Sequence, residues 1–298
     1  MPLLLPSQYA PRAALEARGV HCLMRSETSV PSLRVGIINL MPVAQRYEPL
    51  LLAALAGAGA LIEPAFIRLR THVYESSDAE HLCRHYQAYD EAIGAAPLSG
   101  LILTGAPVEE LSFDEVRYFP ELARILRHSR EQHASTLGLC WGGMALAHLL
   151  GLEKQLYSHK LFGRFALQAL ASPGQNLAGE GQVWCMQSRH AGYRDELVER
   201  AAARGLVTPL AHSVDASYSI FASTDQRYVI HLGHPEYDRA RILFEYRRDV
   251  DKGRSDVRVP AGIDVDAADE QLPCHGTTFF SRWLTSLAPT PTREVDCA

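Results

Sequence analysis

The sequence predicts an α/β fold: a mostly parallel sheet flanked by helices, with added antiparallel strands. Three observations carry this. The first half alternates short, continuous apolar runs with longer segments of helical period, the pattern of buried parallel strands joined by crossover helices. The second half spaces short strand-like runs closely, as antiparallel strands do. With 298 residues, 47% of them hydrophobic, the chain can build one large core.

Residues 33–40, rich in branched side chains, read as the first buried strand, ended by Asn39-Leu40-Met41-Pro42. A helix is expected over 49–61 and a second strand over 63–69. Residues 100–103 form a third strand, ending in Thr104-Gly105-Ala106-Pro107. A helix with one polar face follows over 119–132, then a strand over 135–139 and a helix over 141–150. In the second half, 164–170, 183–187, 218–221 and 228–232 read as strands. Residues 238–249 read as a helix with Ile242, Leu243 and Tyr246 on one face, 253–271 as a polar loop and 278–287 as a last packed helix. The expected division is an N-terminal extension over 1–32 with an irregular lead, a single domain over 33–288 and a frayed tail over 289–298.

The net charge of −5 argues against a protein that tracks a phosphate backbone. The densest basic cluster, Arg239, Arg241, Arg247 and Arg248, is interleaved with Glu236, Asp238, Glu245 and Asp249 and reads as a solvated, salt-bridged helix. The cysteines at 22, 83, 140, 185, 274 and 297 form no CxxC pair, so no metal site is expected and the thiols read as reduced and separate. The apolar start lacks the basic flank and long apolar core of a signal peptide, and no run is long enough to span a bilayer. A cytoplasmic protein acting on small molecules, with no nucleic-acid or membrane partner, is the expectation.

Gly138-Leu139-Cys140-Trp141-Gly142 places a cysteine between a strand and a helix, with glycines where a sharp turn leaves no room for side chains. A helix N-terminus there favours negative charge and is expected to lower the thiol pKa. Backbone N–H groups of the same turn, Trp141 among them, are donors for an oxyanion. Gly233-His234-Pro235-Glu236-Tyr237 follows another predicted strand. His234 supplies the base that a cysteine nucleophile needs, and Glu236 can orient its imidazole. Both motifs sit at strand ends, where open α/β sheets place their sites. A buried structural cysteine and a surface histidine are the alternative reading of either motif taken singly.

Together these motifs resemble the class I glutamine amidotransferase-like fold, and within it the homoserine O-acyltransferase family of the homoserine transsuccinylase type. The resemblance runs from about Leu33 to about Leu284. It includes Asn39-Leu40-Met41-Pro42, Ala79-Glu80-His81-Leu82, Thr104-Gly105-Ala106-Pro107, Cys140-Trp141, Lys160-Leu161-Phe162-Gly163, Ser188-Arg189, Gly233 to Asp238, Glu245 with Arg248-Asp249, and His275-Gly276. It implies that Cys140 carries an acyl thioester, with His234 as base and Glu236 as its partner. Lys160, Ser188 and Arg248 would bind the amino-acid acceptor, Arg248 as a fork on its carboxylate. No cofactor is implied: acetyl-CoA or succinyl-CoA enters as co-substrate and L-homoserine as acceptor, in a homodimer. In the family, the position two past the proline of Thr-Gly-Ala-Pro tunes the acyl donor, glycine accompanying succinyl and glutamate acetyl. Here it is Glu109, whose carboxylate would repel the distal carboxylate of succinyl-CoA.

The chain departs from the family pattern at Val43 to Glu48, at Gly142-Gly143, at Gln187 and at His190, where the family has tyrosine. These changes are expected near the acceptor pocket, which keeps L-serine open as acceptor, since one methylene is worth only about 1–3 kcal/mol. A glutamine amidotransferase is the second reading, against which Met144 stands where that class keeps a glutamine. A non-catalytic metabolite-binding relative is the third.

Overall fold

The computed structural model describes residues 2–132, 135–170, 177–267, 272 and 275–287. The expected tail, and with it Cys274 and Cys297, lies outside them. In chain order the strands are β1 (Leu3–Leu4), β2 (Cys22–Leu23), β3 (Leu33–Ile38), β4 (Ile62–Ile67), β5 (Tyr86–Gln87) and β6 (Gly100–Leu103). They continue as β7 (Thr136–Leu139), β8 (Gln155–Ala169), β9 (Gln182–Gly192), β10 (Val207–Ser213), β11 (Ser217–Ser223) and β12 (Tyr228–His231). The first five helices are α1 (Arg12–Glu16), α2 (Ala44–Ala56), α3 (Ala79–His85), α4 (Tyr89–Ala95) and α5 (Phe119–Gln132). The others are α6 (Trp141–Leu149), α7 (Asp195–Ala203), α8 (Arg239–Asp251) and α9 (Gly276–Leu287).

Among the described residues all twelve strands join one sheet, in the order β2-β1-β4-β3-β6-β7-β12-β11-β10-β8-β9, with β5 on β4. Pairing is parallel from β2 through β12 and antiparallel from β12 to β9, as the change in strand spacing predicts. Alternate side chains leave opposite faces of each strand. Ile37, Ile102 and Leu137 accordingly pack with α2 and α9, while Ile38, Leu101 and Leu103 pack with α5 and α6.

The structure adds β10, α3, α4 and α7, which the sequence pattern did not mark, starts β8 at Gln155 where the expected strand began at 164, and differs from expectation elsewhere as well. Residues 2–32 are not an irregular lead: β1 pairs with β2 and β4 inside the same sheet. From this segment, Tyr9 donates to the buried carboxylate of Glu48, which also receives Tyr86 Oη at 2.6 Å and lies 3.0 Å from His81 Nε2. The first long helix runs Ala44–Ala56, about five residues earlier than expected, with Pro49 inside it; a buried apolar face outweighs the local preference of proline for a first turn. The predicted strand over 183–187 extends to Gly192, because Ser188, Arg189 and His190 are buried along it as well.

The parallel strands β3, β6, β7 and β12 are neighbours, so the segments leaving their carboxyl ends converge. Asn39 closes the turn after β3 by accepting Met41 N–H at 3.1 Å, and Thr104 Oγ1 after β6 accepts Leu40 N–H at 2.8 Å. Between β7 and α6 the chain has no spare room. A β-carbon on Gly142 would sit 2.4 Å from the Leu103 carbonyl oxygen, and one on Gly138 would sit 2.4 Å from that of Gly142. Gly142→Ala is therefore expected to lower unfolding free energy by about 3 kcal/mol, since the obstacle is backbone of two packed elements. Urea unfolding checks this; an unchanged midpoint would mean that the turn relaxes freely.

Candidate active site

Cys140 occupies the turn that the two glycines permit. Its backbone is left-handed (φ 50°, ψ −116°), a conformation that costs about 1–3 kcal/mol for a residue with a β-carbon. The surroundings hold it there: Cys140 N–H donates to His231 O at 2.8 Å, and its carbonyl accepts Met144 N–H at 3.1 Å. The side chain is thus held between strand ends, 4% exposed. Gly105, in the loop after β6, faces both partners: a β-carbon there would lie 3.4 Å from Cys140 Cβ and 3.7 Å from His234 Cε1.

His234 follows β12 and is fixed from three sides. Its N–H donates to Met186 O at 2.8 Å, its Nδ1 lies 2.8 Å from Glu236 Oε1, and Tyr237 stacks on its ring at 3.9 Å. The Cys140 thiol lies near enough that the two groups shift each other's protonation. Tyr47, on α2, donates to the same Glu236 oxygen at 2.8 Å. Burial works to lower the His234 pKa, but the charges of Glu236 and Cys140 outweigh it and hold it well above the ordinary value. For Cys140 the expected lowering is not found. Burial raises its pKa, and His234 only offsets part of that. A helix terminus does not compensate for removing a thiolate from water, so this thiol depends on proton transfer to His234.

Trp141 is fully buried against Phe113, Tyr118 and Phe119. It opens α6, where backbone N–H groups have no acceptor in a preceding turn, the position required of an oxyanion donor.

Lys160 and Ser188 are joined by two buried carboxylates of α8. Ser188 Oγ donates to Glu245 Oε2 at 2.6 Å; Lys160 Nζ lies 2.7 Å from Asp249 Oδ2 and 3.7 Å from Glu245 Oε2. Ser188 also approaches the nucleophile, its carbonyl oxygen 3.8 Å from Cys140 Sγ. Burial would raise the Glu245 pKa, yet Lys160, Arg241 and His234 bring it down to about 2. Arg248 stands apart. Its guanidinium lies on Asp249 at 2.7 Å and its side chain is 38% exposed, on an outer face of α8 with Phe244, Arg247, Asp251 and Lys252. It reaches Lys160 only through their shared Asp249.

Glu109 points into the site. Its Oε2 is 3.8 Å from Cys140 Sγ, and its Oε1 accepts the N–H of His190 at 2.8 Å and lies 2.7 Å from His190 Nδ1. Strand alternation along β9 explains the sorting of Ser188 and His190 from Gln187. The first two face the cysteine loop, while Gln187 Oε1 accepts from Arg189 and its amide meets Ser219. Gln187 and His190 thus hydrogen-bond to groups other than Lys160 and the Ser188 hydroxyl.

Sequence reading missed Tyr47, Tyr237, Glu245, Asp249 and His190 as members of this constellation. The α8 cluster was expected to be a solvated face, but Glu245 and Asp249 are 4% and 3% exposed. A signal was available: Arg241, Glu245 and Asp249 recur every four residues, which puts them on one helix face, adjoining the apolar one.

Cys185, His231 and His275 bring three possible metal-ligand atoms within 4.8 Å. Their ring nitrogens are already engaged with one another and with backbone. Gly233 N–H donates to His231 Nδ1, the two Nε2 atoms lie 3.0 Å apart, and His275 Nδ1 lies 2.9 Å from Trp184 O. The pair packs the end of β12 behind His234.

A family model described as homoserine O-succinyltransferase matches residues 2–292. The chain belongs to this family. Among curated relatives, a homoserine O-acetyltransferase of Bacillus cereus is 31% identical over 95% of this chain and 96% of its own. Proteins of the same name from Brevibacillus brevis and Bacillus subtilis are 32% and 30% identical, each over 95% of this chain and over 94% and 96% of their own. The fold is that of class I glutamine amidotransferases: a glutamine amidotransferase of Methylobacillus flagellatus superposes with a TM-score of 0.54 at 14% identity, over 89% of this chain and 98% of its own.

The geometry makes Glu236 the source of the His234 charge. In Glu236→Gln, His234 loses its proton more readily and the thiolate forms only at higher pH. Alkylation of Cys140 by iodoacetamide should slow about tenfold near pH 7, with its pH midpoint moved upward. A midpoint that stays or falls would contradict this assignment.

Proposed function

We propose that the protein transfers an acetyl group from acetyl-CoA to the hydroxyl of L-homoserine through a thioester on Cys140, as a step of methionine biosynthesis. The observation that carries the choice of acyl group is the Glu109 carboxylate 3.8 Å from the Cys140 sulfur. A donor with a second carboxylate would have to bring it against that charge beside a buried sulfur, where like charges repel strongly. The relatives named above as homoserine O-acetyltransferases support the same reading.

In the first half-reaction His234 takes the thiol proton and Cys140 Sγ attacks the acetyl carbonyl carbon. The bond to the CoA sulfur breaks, and CoA leaves with the proton returned by His234. One thioester replaces another, so this step lies near energetic balance. His234 then takes the proton of the homoserine hydroxyl, whose oxygen attacks the thioester carbon. Cys140 leaves as thiolate and regains its proton from His234. Trp141 N–H and an N–H of the Gly105 loop would hold the oxyanion in both halves. Lys160 and Ser188, placed by Glu245 and Asp249, would receive the acceptor, with Arg248 swinging from Asp249 to its carboxylate.

Among the described residues no helix is long and apolar enough to cross a membrane, and Cys22, Cys83, Cys140 and Cys185 stand outside any disulfide. Both fit action in the cytoplasm. A homodimer is proposed from the family, and sedimentation of the purified protein checks it.

CoA-thiol release, with acetyl-CoA and succinyl-CoA each crossed with L-homoserine and L-serine, tests the reading. Acetyl-CoA with homoserine is the expected pair; turnover with serine only would replace the acceptor. Cys140→Ala should lose at least about a thousandfold in kcat, and full activity in that variant would end the thioester mechanism. Glu109→Gly should raise kcat/KM for succinyl-CoA by about tenfold or more, and an unchanged donor preference would remove the argument for acetyl.

A further inference from the structure

We propose that His190 is a specificity-positioning residue: it clamps one oxygen of Glu109 so that the other is aimed at the acyl-bearing sulfur. This rests on the acetyltransferase reading and assigns that site a second determinant of donor choice.

Glu109 lies in a surface loop after β6, and a loop glutamate with free rotamers would turn its carboxylate to water. Here it does not. Oε1 is held twice by one residue, through His190 N–H at 2.8 Å and Nδ1 at 2.7 Å. This pairing leaves Oε2 3.8 Å from Cys140 Sγ. The backbone of the same residue is pinned independently, its carbonyl accepting Lys154 Nζ at 2.7 Å. The His190 ring is in turn braced by charge and not by a hydrogen bond: Nε2 lies 3.2 Å from Asp256 Oδ2 but makes no hydrogen bond. Asp256 belongs to a segment bound along β8: its carbonyl accepts Lys160 N–H at 2.9 Å, and Ala261 N–H donates to Phe162 O at 2.9 Å. Arg254 completes the brace, at 2.6 Å from Asp256 and 2.9 Å from Glu110, the neighbour of Glu109.

The clamp requires a donor at the δ position of residue 190. Histidine supplies one; the tyrosine expected from the family pattern carries its hydroxyl at the far end of the ring and has no donor there. Pocket charge in this chain thus depends on two residues from different elements, Glu109 from a loop and His190 from β9. The backbone N–H alone leaves the glutamate side chain one bond and a rotational freedom that the imidazole removes.

The test is donor preference in His190→Phe and His190→Asn, the second keeping an N–H donor near the Nδ1 position. In His190→Phe the ratio of kcat/KM for acetyl-CoA over succinyl-CoA should fall about tenfold, mainly through a lower KM for succinyl-CoA. In His190→Asn the ratio should stay within about threefold of the parent. Combined with Glu109→Gly, the His190→Phe change should have no further effect on the ratio, because its target is gone. Parallel losses with both donors, an unchanged ratio in His190→Phe, or a full effect in the Glu109→Gly background would each overturn the clamp. Unfolding midpoints of both variants separate a loss of fold from a change of preference. If the parent protein itself transfers no acetyl group, the acetyltransferase reading fails; if it does and the ratio does not respond to residue 190, only the clamp fails.

Discussion

The constraint on which the molecule depends is the close approach of backbone at the Cys140 turn. The first turn of α6 lies against the ends of β6 and β7 with no space for a β-carbon at Gly138 or Gly142. That contact drives Cys140 into a left-handed conformation and lifts its sulfur above the sheet, among the segments leaving β3, β6 and β12. The cost, about 1–3 kcal/mol of backbone strain, is offset by the surrounding core: α6 is buried over nearly its whole length, from Trp141 to Ala147.

Burial sets the second condition. A thiol 4% exposed ionises less readily than one in water, so the site relies on a base whose own affinity for a proton is strengthened. Glu236 does this for His234, and Tyr47 holds Glu236 from α2. Each carboxylate of the site has a counter-group: Glu236 has His234, Glu245 has Ser188 and Arg241, Asp249 has Lys160, which also lies near Glu245, and Glu109 has His190. A buried carboxylate left without such a partner would be strongly destabilising, so each pairing fixes a side chain in place as well as its charge.

The lead segment shows how far this reaches. Tyr9 bonds Glu48, the residue after Tyr47, so residues that begin the chain help seat the helix that orients the base. Read as sequence, the apolar run of this segment is only Leu3-Leu4-Leu5, flanked by Pro2 and Pro6, and a two-residue strand such as β1 carries no periodicity that could reveal it.

The sequence by itself determined the central parallel strands β3, β4, β6, β7 and β12, the change to antiparallel pairing beyond them, the nucleophile turn and the His234–Glu236 pair. Each is local: apolar runs, glycines two residues either side of Cys140, and a base and its partner two residues apart. Only the tertiary structure decided what meets across elements. Tyr47 reaching Glu236 spans 189 residues, and His190 reaching Glu109 spans 81. Arg248 pointing outward while its neighbour Asp249 points in follows from helix rotation against the core. The direction of the thiol shift was decided there too, because burial, which depends on every packed element, outweighed the local effect of a helix end.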